Sequence, residues 1–170
     1  MRGPVYLSLG SNVGDRSGNL RTAIDRLRAF GEIVAVSSLY ETEPVEFAAQ
    51  PWFLNCAVKL NTEQTPQHLL AGVLEIEKQL GRQRTQEKGP RIIDLDILLF
   101  GNLVLHDTGL TIPHPAMHER RFVLEPLAEI APDAVHPVLE RTIRELRDAL
   151  PPGQAVRKML GPAPALPDAT

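Results

Sequence analysis

The sequence holds one cysteine, Cys56, among 170 residues. A lone thiol can form no internal disulfide and no cysteine-based zinc site. That scarcity fits a reducing cytosol. No run of about 18 apolar residues occurs, so no membrane span is expected. The N-terminus lacks a basic stretch followed by an apolar core, so no secretory leader is expected. Charge of one sign is not in excess either. Lys and Arg number 18 against 21 Asp and Glu, for a net charge of −3 and a pI near 6.0. Nucleic-acid-binding domains usually show a strong basic excess, so no nucleic-acid partner is expected. There is no Gly-x-x-x-x-Gly-Lys-Ser/Thr segment and no protein-kinase signature, which sets aside both of those phosphate-binding designs. What is left is a chain long enough for one domain with its own core. A cytoplasmic monomer that acts on small molecules is expected.

The apolar patterning is strong. Residues 5–9 alternate as a strand, with Val5, Leu7 and Leu9 on one face and Tyr6 and Ser8 on the other. Residues 10–15 read as a turn-rich loop. Leu20, Ala23, Ile24, Leu27 and Phe30 recur at helical spacing, with Asp15 or Ser17 as cap and Gly31 as stop. Residues 33–40 read as a second strand and 41–52 as a long loop with two prolines. Residues 53–60 read as a third strand. Thr65 caps a second helix with Pro66 at its first position, and Gly81 ends it. Residues 82–90 form a polar loop and 92–100 a fourth strand. A short strand at 103–105 and helices near 120–130 and 142–150 follow. The Ala- and Pro-rich residues 161–170 read as a disordered tail after a single domain of residues 1–160.

Strand, helix, strand, strand, helix, strand is the order of an α+β ferredoxin-like fold. Both helices are expected on one face of the sheet, with C-terminal additions beyond it. Alternation then assigns Leu54, Cys56, Val58 and Leu60, with Ile93, Leu95, Ile97 and Leu99, to the helix-covered face. Phe53, Asn55, Asp94 and Asp96 fall on the opposite, open face, where a ligand can sit.

Asp94 and Asp96 project side by side from that face. Two such carboxylates repel unless a cation joins them. Mg²⁺ takes one or two carboxylates together with substrate phosphates and water. Aspartate is also unfavourable within strands. A bare Asp-x-Asp pair equally fits two solvated aspartates, so the neighbourhood has to decide. Just upstream, Arg82, Arg84, Lys88 and Arg91 stand within ten residues, opposed only by Glu87. Arginine forks match phosphate oxygens, and lysine adds a point charge. Cations beside a carboxylate-held metal suit phosphoryl transfer.

Gly89-Pro90-Arg91-Ile92-Ile93-Asp94-Leu95-Asp96 resembles the signature of the 6-hydroxymethyl-7,8-dihydropterin pyrophosphokinase family. Leu9-Gly10-Ser11-Asn12, residues 37–44, residues 53–58, Gly81-Arg82-Gln83-Arg84, Ile112-Pro113-His114-Pro115 and Arg120-Arg121-Phe122 are similar to its other elements. The resemblance covers about residues 5 to 135. It implies transfer of pyrophosphate from ATP to the pterin hydroxymethyl group, giving AMP, in folate synthesis. It implies that Asp94 and Asp96 hold two Mg²⁺ ions and that Phe53 and Phe122 sandwich the pterin. Asn55 would read the pterin's amide-like edge, with Thr42, Pro44 and Val45 lining the same pocket. Arg82, Arg91 and His114 would contact phosphates, with Arg84, Lys88, Arg120, Ile97 and Glu77 also on the ATP side. Arg82 and Arg91 join the two aspartates as catalytic groups. Many family members carry a Trp before Gly-Pro-Arg, where this sequence has Lys88. Some have Tyr at the position of Phe53, which keeps stacking and loses a phenolic hydrogen bond. One other reading stays open on fold grounds, a non-catalytic ligand-binding domain; the acidic open face, with no aromatic-basic ribonucleoprotein motif, speaks against an RNA-binding module of the same topology.

Overall fold

The computed structural model describes residues 4–43, 51–81, 92–153 and 155–159. Its centre is β1 (Pro4–Ser11), a strand buried on both faces. Val5, Leu7 and Leu9 are fully buried on one side, and Tyr6 and Ser8 are almost so on the other. A strand covered on both sides needs neighbours along both edges and packed layers above and below. β4 (Phe53–Asn61) and β5 (Asp94–Phe100) supply the edges, each antiparallel to β1.

The second strand expected at residues 33–40 is broken in two. β2 (Glu32–Val36) and β3 (Tyr40–Thr42) pair in turn with the same edge of β4. Ser37 makes the break. Its N–H donates to the Ala57 carbonyl at 2.9 Å, and its hydroxyl accepts from the Ala57 N–H at 2.8 Å. β10 (Val156–Lys158) then adds to the outer edge of β3. The order is β10-β3-β4-β1-β5, with β2 also on β4.

α1 (Arg16–Leu27) and α2 (Pro66–Gln79) follow the expected caps. The Asp15 carboxylate accepts from Gly18 N–H, and the Thr65 hydroxyl accepts from His68 N–H. Pro66 begins α2, where a missing N–H costs nothing. Leu20, Ile24 and Leu27 of α1 and Leu69, Val73 and Ile76 of α2 pack with Leu7, Leu9, Leu54, Cys56 and Val58 into one core layer. This is the ferredoxin-like arrangement, with both helices on one face.

The opposite face departs from the expectation of an open surface. α3 (Arg121–Ile130) and α4 (Ile143–Asp148) cover much of it. Met117, Leu124, Leu127, Ile143 and Leu146 pack there on Tyr6, Ala57, Leu98 and Leu99. Leu99 was expected with the helix-covered set, and the structure moves it to this second layer. The cause is a bulge. Tyr6 pairs with Leu99 and Leu7 with Ile97, so Leu98 is an extra residue and reverses the alternation beyond it. Phe100 accordingly joins the first layer. Ile93, Leu95 and Ile97, before the bulge, face α1 and α2 as expected.

Past β5 the chain forms a hairpin of β6 (Leu105–Asp107) and β7 (Leu110–Ile112), two residues beyond the expected short strand. A second hairpin, β8 (Val135–His136) with β9 (Arg141–Thr142), leads into α4, whose Thr142 and Glu145 form a capping box. The tail expected at residues 161–170 lies outside the described residues. Among the described residues no helix is long and apolar enough to cross a membrane.

The second layer is testable through Leu124, which is fully buried in it. Leu124→Ala should lower unfolding free energy by ~2–5 kcal/mol in denaturant titration. A loss below about 0.5 kcal/mol, the range of surface changes, would mean that α3 is not packed on the sheet.

Candidate active site

The part of the second face that α3 and α4 leave uncovered carries the predicted site. Residues directly opposed in an antiparallel pair share a face. Gly10 of β1 opposes Asn55 of β4 on one side and Asp94 of β5 on the other. In the next row, Ser8 opposes Ala57 and Asp96. Thr42 of β3 opposes Phe53. The structure thus brings Thr42, Phe53, Asn55, Asp94 and Asp96 onto one surface.

Gly10 is the middle of that surface. A Cβ there would lie 2.5 Å from Asn55 Oδ1 and 3.5 Å from Phe53 Cδ1. Only a residue without a side chain lets Asn55 lie across the strand. Asn55 is 4% exposed. Its Nδ2 donates to Thr42 Oγ1 at 2.7 Å, and Thr42 is itself buried. That bond fixes the amide plane and leaves Oδ1 and a second N–H for a ligand edge.

Asp94 and Asp96 stand at the start of β5, both partly exposed. The peptide between them is held from behind. Leu95 N–H donates to Glu77 Oε2 at 2.9 Å, and Glu77 is a buried carboxylate of α2. Glu77 therefore sits under the strand that carries the two aspartates, on its α2 side. Ile97 turns its side chain into the first core layer, away from the aspartates.

His114 lies on the other flank, after the cis Ile112–Pro113 bond. Its N–H donates to the Leu98 carbonyl at 2.9 Å, which ties it to β5. Its Nδ1 accepts from Ala116 N–H at 3.2 Å. A neutral ring must then carry its proton on Nε2, and Nε2 is 3.9 Å from Asp96 Oδ1. Burial, then the nearby Arg120 charge, hold the His114 pKa below its ordinary value, and Asp94 opposes them. The Arg120 guanidinium lies 5.6 Å from the centre of the Phe122 ring. Among the described residues the one contact between aromatic rings is His118–His136, so Phe53 and Phe122 do not stack on each other. A slot for a flat ligand requires that.

Pro44, Val45, Arg82, Arg84, Lys88 and Arg91 lie outside the described residues. Among those described, no three His, Cys, Asp or Glu side chains cluster as a closed metal site. Two hard-oxygen donors on an open strand face suit Mg²⁺, which draws its other ligands from phosphate and water. They do not suit a structural zinc, which needs four protein ligands. Gly10 and Ser8 are site-floor residues that the sequence reading did not assign to the site. Gly10 read as a turn, although a glycine at the end of an apolar strand also signals close approach of a neighbour.

Scaffold and site together define a ferredoxin-like domain with two carboxylates and a buried amide on its half-covered sheet face. The chain belongs to the family described as 7,8-dihydro-6-hydroxymethylpterin-pyrophosphokinase (HPPK), which matches residues 6–132. It is similar to the 2-amino-4-hydroxy-6-hydroxymethyldihydropteridine pyrophosphokinase of Methylorubrum extorquens, 46% identical over 150 residues, covering 87% of this chain and 94% of that protein. The Aquifex aeolicus protein of the same name is 41% identical over 143 residues, covering 84% of this chain and 89% of its own. The folic acid synthesis protein fol1 of Schizosaccharomyces pombe is 44% identical over 155 residues, which are 90% of this chain and 21% of fol1. This chain thus spans about a fifth of fol1. The crystal structure of wild-type HPPK-DHPS from Plasmodium falciparum shares the fold, with a TM-score of 0.71 at 18% identity, over 87% of this chain and 44% of that one.

Two measurements check the site geometry. The His114 ring should titrate with a midpoint below its ordinary 6.5 in NMR, and Arg120→Ala should move it upward. The sign for stability follows. A depressed folded pKa gives a contribution that is whole above pH ~6.5 and is lost as pH falls through the folded value. A midpoint above 6.5 would contradict the burial of His114. Gly10→Ala should cost ~1–3 kcal/mol by overpacking, and should shift the Asn55 side-chain amide resonances. Unshifted resonances would contradict the close approach.

Proposed function

We propose that this chain transfers the pyrophosphoryl group of ATP to the hydroxyl of 6-hydroxymethyl-7,8-dihydropterin, releasing AMP, in folate biosynthesis. One observation carries the reading: Asn55, Gly10 and Asp94 form a single row across three strands. Strands lie about 4.8 Å apart, so amide reader and carboxylate stand roughly 10 Å apart along a floor with no side chain between them. That gap suits a bicyclic pterin whose amide edge meets Asn55 and whose hydroxymethyl arm reaches toward Asp94. The family match and the names of the bacterial relatives support the same chemistry. The fungal fol1 name supports its place in folate synthesis.

In this reading Asn55, oriented by Thr42, pairs with the pterin amide edge. Phe53 and Phe122 take the ring between them, with Pro44 and Val45 beside it. Asp94 and Asp96 would hold two Mg²⁺ ions, which would supply positive charge to offset that of the phosphates. The chain's own work is to align the reactants and balance charge around them. His114, neutral and with its proton on Nε2, donates to a phosphate oxygen. Arg82, Arg84, Lys88, Arg91 and Arg120 provide positive charge along the triphosphate. Arg82 and Arg91 act closest to the transferring group. Glu77 acts from beneath, through the Leu95 peptide, and Ile97 contributes its backbone at the free edge of β5. The pterin oxygen bonds to the β-phosphorus as the bond from that phosphorus to the α-phosphate's bridging oxygen breaks; AMP leaves with that oxygen, and the hydroxyl proton passes to solvent. We place the enzyme in the cytoplasm, as a monomer, with residues 1–160 as its one domain.

Incubation with ATP, Mg²⁺ and the pterin, followed by nucleotide analysis, tests this. AMP is expected. ADP would point to an ordinary kinase, and no turnover to a binding domain. Asp94→Ala and Asp96→Ala should each lower kcat by roughly a hundredfold or more, with the circular dichroism spectrum unchanged. Full activity in either variant would remove the metal assignment.

A further inference from the structure

The family match ends at residue 132, yet β10, at Val156–Lys158, reaches the edge of the candidate site. It does so through β3, which is three residues long. A strand that short is weakly held by pairing on one side alone. β10 pairs with its free side: Val156 with Thr42, Arg157 with Glu41, Lys158 with Tyr40. Bonds continue past both ends. Glu43 N–H donates to the Ala155 carbonyl at 3.1 Å, and Met159 N–H to the Leu39 carbonyl at 2.8 Å.

Side chains tighten this on both faces. On the face of α1, the Glu41 carboxylate is 14% exposed and holds two guanidinium groups. Arg16 Nη2 is 3.0 Å from Oε2, and Arg157 Nε is 3.1 Å from Oε1. Arg157, then burial working against it, then Arg16 set the Glu41 pKa, with a net shift below the usual carboxylate range. Both arginines also hold Trp52. Arg16 Nη1 donates to the Trp52 carbonyl at 2.9 Å, and the Arg157 guanidinium lies 5.3 Å from the centre of the indole. On the other face, Lys158 Nζ is 3.8 Å from Glu129 of α3, which accepts from the Tyr40 hydroxyl at 2.7 Å.

Glu41 thus joins four pieces of chain: β3, the start of α1, the segment entering β4 and the C-terminal strand. It points away from the ligand face, since neighbours along a strand alternate. Its next residue is Thr42, whose hydroxyl holds Asn55. We propose that Glu41, gripped between Arg16 and Arg157, is a positioning residue that sets Thr42 and through it the Asn55 amide. The C-terminal strand thereby tunes affinity for the pterin and leaves ATP binding alone. This rests on the pyrophosphokinase reading above.

Steady-state kinetics on the full chain test it, using Arg157→Gln, Arg157→Lys and Glu41→Gln. The Arg157 side chain is 70% exposed, so its replacement leaves the core intact. Arg157→Gln should raise KM for the pterin roughly fivefold, the effect of one ion pair at a partly exposed site, and Glu41→Gln, which removes the pairs to both arginines, at least as much. KM for ATP and kcat should stay at wild-type values in both, Tm should stay so in Arg157→Gln, and Arg157→Lys should recover most of the loss. Unchanged pterin KM in both neutral variants overturns the proposal. So does a parallel rise in both KM values with a fall in Tm, which marks a merely structural brace. Absence of AMP from the wild-type chain would instead overturn the functional reading, and the positioning role with it.

Discussion

Gly10 stands between Asn55 on one neighbouring strand and Asp94 on the other, and the arrangement of the site depends on its having no side chain. Antiparallel pairing forces opposed residues onto one face, so the amide and the carboxylate must flank whatever β1 places between them. Any side chain at that point would meet Asn55 and divide the floor. With glycine the floor is continuous, and β1, buried on both faces, holds it rigid from below.

The two faces of the sheet are unequal for a related reason. α1 and α2 close one face along its length. α3 and α4 close the other only where Leu98, Leu99, Tyr6 and Ala57 give them an apolar bed. The bulge at Leu98 makes this possible. Before it, β5 shows carboxylates to the second face and Leu95 and Ile97 to the first. After it, two successive leucines turn to the second face. One strand therefore carries the two carboxylates at one end and serves as core at the other. A strict alternation would have placed Ile97 and Leu99 together and left α3 with less to pack on.

Much of this was legible in the sequence because it depends on local periodicity. The helix caps at Asp15 and Thr65, the proline opening α2 and the shared face of Phe53, Asn55, Asp94 and Asp96 all follow from spacing along a few residues. What escaped depends on partners far away along the chain. The break at Ser37 needs the Ala57 backbone. The bulge at Leu98 needs the register of β1. β10 is three residues long beside Gly and Pro, and only its pairing with β3 makes it a strand. The grip of Arg157 on Glu41 spans 116 residues and has no sequence signature. Among the residues assigned to the site, Glu77 could be named from resemblance, but its bond to the peptide between the two aspartates could not.

In the proposed reading, the groups that would hold metal and those that would read the pterin share the floor formed by residues 8–10, 53–55 and 94–96. Paramagnetic broadening by Mn²⁺, added with a non-hydrolysable ATP analogue and followed by amide NMR, measures this most directly. The strongest loss of signal is expected at Asp94, Leu95 and Asp96, followed by Ser8 and Gly10 across the strand, with little at the His118–His136 pair. Broadening centred on those histidines, or spread evenly over the surface acids, would contradict that reading.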